Sequence, residues 1–184
     1  MGDLTGLTEA KEWLSITTDG SDILLDRLIS AASAFIQGPE GIGYEVASQA
    51  YAEVRDGHGG SRLAFGRPPL TAVASVKVDG VEIPPAAAVL GAGYRFSAGL
   101  IWLNGYLFTR GAGNVEVACT RGWAATPPQL EQACIELVAW RYSERERIGQ
   151  ESKSIQGANV TFSTKDIPAD VQRVLQAWKK VAPV

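Results

Sequence analysis

Apolar residues recur at helical spacing near both ends of the chain and alternate with polar residues through its middle. Between residues 22 and 37, Leu25, Leu28, Ala32, Phe35 and Ile36 line one face, which predicts an amphipathic helix. Ser21 or Asp22 caps its start, and Gly38-Pro39 ends it because proline cannot continue a helix. A shorter helix precedes it, from an N-cap at Thr8 to about Leu14, with Trp13 and Leu14 turned to a core. Pro127-Pro128 opens a third helix that reaches about Arg147. Leu130, Cys134, Leu137 and Val138 share one side of it, and Ala133, Trp140 and Tyr142 widen its apolar surface. A last helix begins near Asp166-Ile167-Pro168, with a stripe of Val171, Val174, Leu175, Trp178 and Val181.

From about residue 44 to 126 the pattern shortens and most of the glycines and prolines cluster. Tyr51 to Asp56 reads as a strand, Gly57-His58-Gly59-Gly60 as a turn, and Arg62 to Phe65 as the returning strand. Residues 72–78 and 81–83 flank Asp79-Gly80, a strong two-residue hairpin signal. Residues 94–96, 100–103 and 114–120 complete six to eight short strands; Tyr106-Leu107-Phe108, after the turn signal Asn104-Gly105, has no clear partner. The fold class is therefore α+β, with two N-terminal and two C-terminal helices around an inserted small antiparallel β domain. The expected division is 1–47 with 127–184 for the helical part and 48–126 for the insertion.

Composition is average for a globular chain: 184 residues, 46% hydrophobic and 20% charged. No apolar run approaches the ~18 residues that span a bilayer. Met1-Gly2-Asp3-Leu4 lacks the basic and apolar regions of a signal peptide, so assembly in the cytoplasm is expected. Net charge is −3, too small to argue for nucleic acid as the main partner. Its distribution is uneven: residues 1–47 carry −6, residues 48–126 carry +2 and residues 127–184 carry +1. Such asymmetry can orient association, although solvated helix faces produce the same bias.

The chemistry-bearing residues are sparse. The single His58 sits between glycines in a turn, with nothing to hold it as a base. The glycine-rich stretches lack the Gly-Lys-Ser or Gly-Lys-Thr of a phosphate loop, and no G-x-S-x-G elbow occurs. Glu144 and Glu146 are flanked by Arg145 and Arg147, as in a solvated helix end. Cys119 and Cys134 read as small buried hydrophobes, and their spacing suits neither a disulfide framework nor a zinc site. No catalytic, cofactor or metal site is expected.

Several stretches, in order, resemble the head–tail connector (adaptor) proteins of tailed bacteriophages and related gene-transfer particles. Leu4-Thr5-Gly6-Leu7-Thr8-Glu9-Ala10-Lys11-Glu12-Trp13-Leu14 and Asp22-Ile23-Leu24-Leu25-Asp26-Arg27-Leu28-Ile29-Ser30-Ala31-Ala32 are similar to that family's opening. Arg67-Pro68-Pro69-Leu70 with Val73 to Gly80 is similar to the β insertion of its larger members. Residues 115–123 followed by Pro127 and Pro128 resemble its strand-to-helix junction, and Glu136 to Tyr142 with Arg145 and Gly149 its third helix. Val160 to Ser163, Ile167-Pro168 and Val174-Leu175 resemble its closing segment. Cys119 departs from the pattern, where tyrosine is commoner.

The resemblance implies a virion structural protein of the phage neck with a helical connector core, not an enzyme, without cofactors. Subunits would form a homo-oligomeric ring, a dodecamer, below the portal protein, and extend the DNA channel to a stopper or tail-completion protein. DNA would pass without sequence-specific binding, there would be no membrane partner, and assembly would occur in the bacterial host cytoplasm. Candidate portal or ring contacts are Arg145, Arg147, Lys153, Phe162, Trp178, Lys179 and Lys180, with Trp140 as a further apolar anchor. Asp19, Asp22 and Asp26 are candidate channel-lining acids. The polar stretch 149–165 and the last helix are expected to meet the portal and to order on assembly. Two alternatives stand beside this reading. One is a β-domain binding module for a glycan or peptide, with Tyr94, Trp102 and Tyr106 as its platform; the other is a tail-terminator or stopper-type neck protein.

Overall fold

The structure, a computed structural model, describes residues 2–145, 152–155, 158–161 and 167–179. They form two compact units, one of Met1–Gly43 with Thr126–Lys179 and the other of Tyr44–Ala125. Helices and antiparallel sheets make an α+β chain, as the hydrophobic pattern predicts.

In the helical unit, α1 spans Leu7–Leu14, α2 Asp22–Gln37, α3 Pro128–Glu144 and α4 Ala169–Trp178. Helix α1 begins before the expected Thr8 cap: Gly6 is its N-cap, and the Gly6 carbonyl accepts the Ala10 N–H. It ends with Ser15 in the left-handed region, where the Ser15 and Ile16 N–H groups satisfy the Glu12 and Lys11 carbonyls. Ala10 is the buried residue of this helix, while Trp13 is 54% exposed, contrary to its expected core position. The stripe of α2 is centred on Leu25, Ile29, Ala32 and Ile36, with Leu28 and Phe35 half-buried at its flanks rather than in the centre. Helix α3 supplies the broadest buried face, including Leu130, Cys134, Leu137 and Val138. Pro128 occupies its first turn, where a missing N–H costs nothing. Helix α4 buries Val171 and Leu175 and half-buries Val174 and Trp178; Val181 lies outside the described residues.

Two short strands, β8 (Ser152–Ile155) and β9 (Ala158–Thr161), pair antiparallel between α3 and α4.

The β unit holds seven strands: β1 Gln49–Gly57, β2 Arg62–Ala64, β3 Leu70–Val78, β4 Val81–Ile83, β5 Gly93–Ser97, β6 Leu100–Asn104 and β7 Gly111–Arg121. They form a four-stranded sheet ordered β1-β7-β3-β4 and a three-stranded sheet ordered β2-β6-β5. The predicted hairpin at Asp79-Gly80 is present, with Val78 paired to Val81. Its two turn residues have φ of 52° and 77°, as a type I′ turn requires. The second expected hairpin is not. β1 pairs with β7, and β2 leaves it to pair with β6 in the other sheet. The glycine-rich turn instead bonds Phe108: Gly59 N–H donates to the Phe108 carbonyl, and Phe108 N–H to the Gly60 carbonyl. Phe108 is thereby fully buried outside any strand. It joins Leu63, Ile101 and Leu103 of one sheet and Val76, Val115 and Val117 of the other in a single core.

Candidate assembly surfaces

The acidic candidates lie where α1 turns into α2. Asp22 opens α2, Asp19 lies in the turn before it, and Asp26 follows one helical turn later on an exposed position. Lys11, in the last turn of α1, reaches both of the first two: its Nζ donates to Asp22 Oδ1 at 2.8 Å and to Asp19 Oδ1 at 3.0 Å. These hydrogen bonds, the one to Asp22 foremost, hold the Lys11 ammonium charged above its usual range. The corner is therefore less anionic than the three acids read from sequence imply, because a cation between helices cancels part of their charge. The Asp19 carboxylate is 91% exposed, whereas that of Asp22 is largely covered. Ser21, the N-cap position of α2, sends its hydroxyl to the Tyr142 hydroxyl on α3 at 3.0 Å rather than to its own helix.

Among the described residues, the basic and aromatic candidates Arg145 and Trp178 are not gathered into one site, one lying at the end of α3 and the other against its start. Arg145 folds back over the end of α3. Its guanidinium stacks 3.6 Å from the Tyr142 ring centroid and donates to the Tyr142 carbonyl at 2.8 Å. That position satisfies a terminal helix carbonyl. Trp178 donates its Nε1–H to Gln129 Oε1 at 2.9 Å, so its polar end ties α4 to the start of α3. Lys179 follows it on an exposed position. Trp140 is half-buried on α3. Lys153 belongs to β8, but its side chain is outside what is described; Arg147, Phe162 and Lys180 lie outside the described residues, as does the 149–165 stretch apart from β8 and β9.

In the β unit, an open groove of about 750 Å³ is lined by Val54, Arg55, Asp56, His58, Arg62, Leu63, Ala64 and Leu100. His58 is exposed and its ring lies against that of Phe108, with centroids 6.4 Å apart. The expected aromatic platform of Tyr94, Trp102 and Tyr106 is not assembled. Tyr94 is buried and donates its hydroxyl to the Val73 carbonyl, while Arg95 covers Trp102. Cys119 and Cys134 are both buried, and burial pushes the Cys134 thiol up to about 11. Thiols raised in this way are poor nucleophiles. Among the described residues no cluster of His, Cys, Asp and Glu could hold a metal ion, and no helix is long and apolar enough to cross a membrane.

The sequence reading passed over one surface. The loop between β4 and β5 carries Val89 and Leu90 at 70% and 88% exposure. Its only sequence signal is an apolar run, Ala86 to Leu90, in a stretch otherwise punctuated by Pro84-Pro85 and Gly91.

A family model described as head completion protein matches residues 3–181. No curated protein sequence matches the chain. Among solved structures, a chain from the neck of an empty GTA particle, computed with C6 symmetry, is similar at a TM-score of 0.59 and 22% identity, covering 97% of this chain and 90% of that one. A chain from the neck of a native GTA particle, computed with C12 symmetry, is similar at a TM-score of 0.52 and 19% identity, covering 100% of this chain and 96% of the other.

Proposed function

The chain belongs to the head completion protein family, and from that premise we propose how it works: as a ring-forming head–tail connector in the neck of a phage or phage-like particle. The match across residues 3–181 is the observation that carries this reading. The shared fold with a chain from a GTA particle neck computed with C12 symmetry supports a ring of twelve copies. The protein is a structural component. Its ring docks below the portal protein, extends the DNA channel and presents its other end to a stopper or tail-completion protein. Assembly takes place in the host cytoplasm.

Within each subunit, 1–47 and 127–184 serve as the helical connector core, and 48–126 is a β domain inserted into it. Lys179, the end of α4 beside Trp178 and the 149–165 stretch are the portal-facing candidates, and Arg145 acts there by shaping the end of α3. Asp26 with the exposed Asp19 carboxylate faces the channel, where a negative wall keeps passing DNA from adhering. Native mass measurement with negative-stain imaging tests the reading, using the purified chain alone and mixed with the portal of its particle. Twelve copies of the 19.6 kDa chain give about 235 kDa. A ring of that mass, or a ring added to the end of the portal, is expected; a monomer that ignores the portal overturns the reading.

A further inference from the structure

We propose that the exposed loop bearing Val89 and Leu90 is a knob that seats in an apolar groove beside α1 of the adjacent copy in the ring. The proposal rests on the ring reading above and names the contact that builds the ring.

The loop is built to present these two side chains. Gly93 closes its base at φ 135°, a conformation that side-chain-bearing residues rarely adopt, and a Cβ there would sit 2.4 Å from the Pro84 carbonyl oxygen. Backbone bonds between Tyr94 and both Pro84 and Ala86 clamp the two stems together. The carbonyls at the tip are turned inward: Val89 accepts from Arg95 at 3.2 Å, and Leu90 and Gly91 accept from Asn104 Nδ2 at 2.6 and 3.0 Å. Its polar backbone is thus satisfied by the sheet while its apolar side chains stand in water. A preorganised apolar projection loses little freedom on docking, which favours it as an anchor.

The matching recess lies in the helical unit. A groove of about 510 Å³ is lined by Leu7 and Ile16 and, between them, by Thr8, Lys11, Glu12, Ser15 and Thr17. Lys11 is a charged residue, but its ammonium is committed to Asp22 and Asp19, so the groove receives its methylene stem. The larger groove of the β unit is a poorer receptor, because Arg62 and His58 line it. Charge agrees with the assignment. Between Glu82 and Glu116 the only charged residues along the chain are Arg95 and Arg110; Arg95 stands at the knob itself, donating to the Val89 carbonyl, while Glu82 acts on Tyr94 at its base. Residues 1–26 carry six acids against Lys11, and Glu12 lies on the groove itself. Knob and groove are different surfaces, so used head to tail, each copy's knob in the groove of the next, the contact closes into a ring where the rotation per copy allows, whereas reciprocal use would stop at a two-fold dimer.

Cross-linking between two full-length variants tests the contact. L90C and I16C are purified separately, mixed at high concentration and treated with a short bis-maleimide. Cys119 and Cys134 are buried and stay silent. The expected product is a mixed L90C–I16C dimer in about tenfold excess over either homodimer, with laddering when both substitutions share one chain. Elevated salt should lower the yield, since opposite charges flank the contact. A statistical 1:2:1 distribution of the three dimers, or no mixed product, overturns the proposal. Head completion by wild-type chain is scored in parallel on particles lacking it. Failure of the cross-link with intact completion removes this contact alone, and failure of completion removes the neck reading.

Discussion

Arg121, near the end of β7, is buried against Glu53 of β1, and its guanidinium ion-pairs with the Glu53 carboxylate across the sheet. Arg121 also donates to the Pro68 carbonyl at 3.1 Å and the Gly66 carbonyl at 2.9 Å, so one cation pins the strand and the 66–68 turn together. Arg55 takes the other Glu53 oxygen at 2.7 Å and lies 4.2 Å from the Phe65 ring centroid. Removing one partner of a buried pair leaves the other charge uncompensated. Glu53→Gln should therefore lower unfolding stability by about 3 kcal/mol, measured by urea denaturation. A change indistinguishable from that of a surface Glu→Gln control would show that Arg121 is solvated enough to stand alone.

Ser33, on the buried face of α2, accepts the Leu4 N–H at 2.9 Å and so ties the N-terminal segment to the helical core. Ser33→Ala strands that N–H in a buried position, at a cost of about 1–3 kcal/mol. Hydrogen exchange should show the Leu4 amide losing protection before the amides of α2 do. Retained protection at Leu4 would mean another acceptor replaces the hydroxyl.

Gly80 has open space around its Cα, so a methyl group there meets no neighbour. Its φ of 77° is the whole obstacle. Gly80→Ala is expected to cost about 1 kcal/mol through backbone strain, with the near-ultraviolet spectrum of the β core unchanged. An unaltered melting temperature would count against the strain argument.

Alkaline pH should weaken the fold. The folded chain holds the Cys134 thiol protonated to about 11, against an ordinary value of 9.0, chiefly through burial. Above pH 9 the unfolded chain releases that proton first, so the stability present at neutral pH declines as pH rises from about 9 to 11. Tyr44, Tyr94 and Cys119 are raised by burial too, and Lys11 by its carboxylate partners, all in the same direction. Urea midpoints should be flat near neutrality and fall above pH 9, and Cys134→Ala should make that fall shallower. Identical slopes for wild type and variant would assign the effect elsewhere.

Neutralising Asp26, the candidate acid that does not hold Lys11, with Asp26→Asn should leave rings intact while slowing DNA ejection, if this acid faces the channel. Rings are scored by native mass and ejection by release of packaged DNA. Normal ejection from particles carrying Asp26→Asn would place this acid away from the DNA path.

What the chain determines locally was open to reading from its sequence. The limits of α2, the proline start of α3 and the Asp79-Gly80 hairpin each depend on residues within a few positions of one another, whose spacing and turn chemistry carry the information. The collinear family segments were legible for the same reason. Tertiary structure alone decided the rest. β1 and β2 have the alternation of a hairpin, yet β1 pairs with β7, because period-two patterns are shared by every strand and do not specify a partner. Arg121 and Glu53 are 68 residues apart, and nothing local to either marks the pair. Lys11 reads as a solvated helix residue until the turn brings Asp19 and Asp22 to it. Trp13 is apolar and its helical spacing turns it inward, while Val89 and Leu90 fall outside every periodic segment; whether an apolar side chain is covered depends on which distant elements reach it.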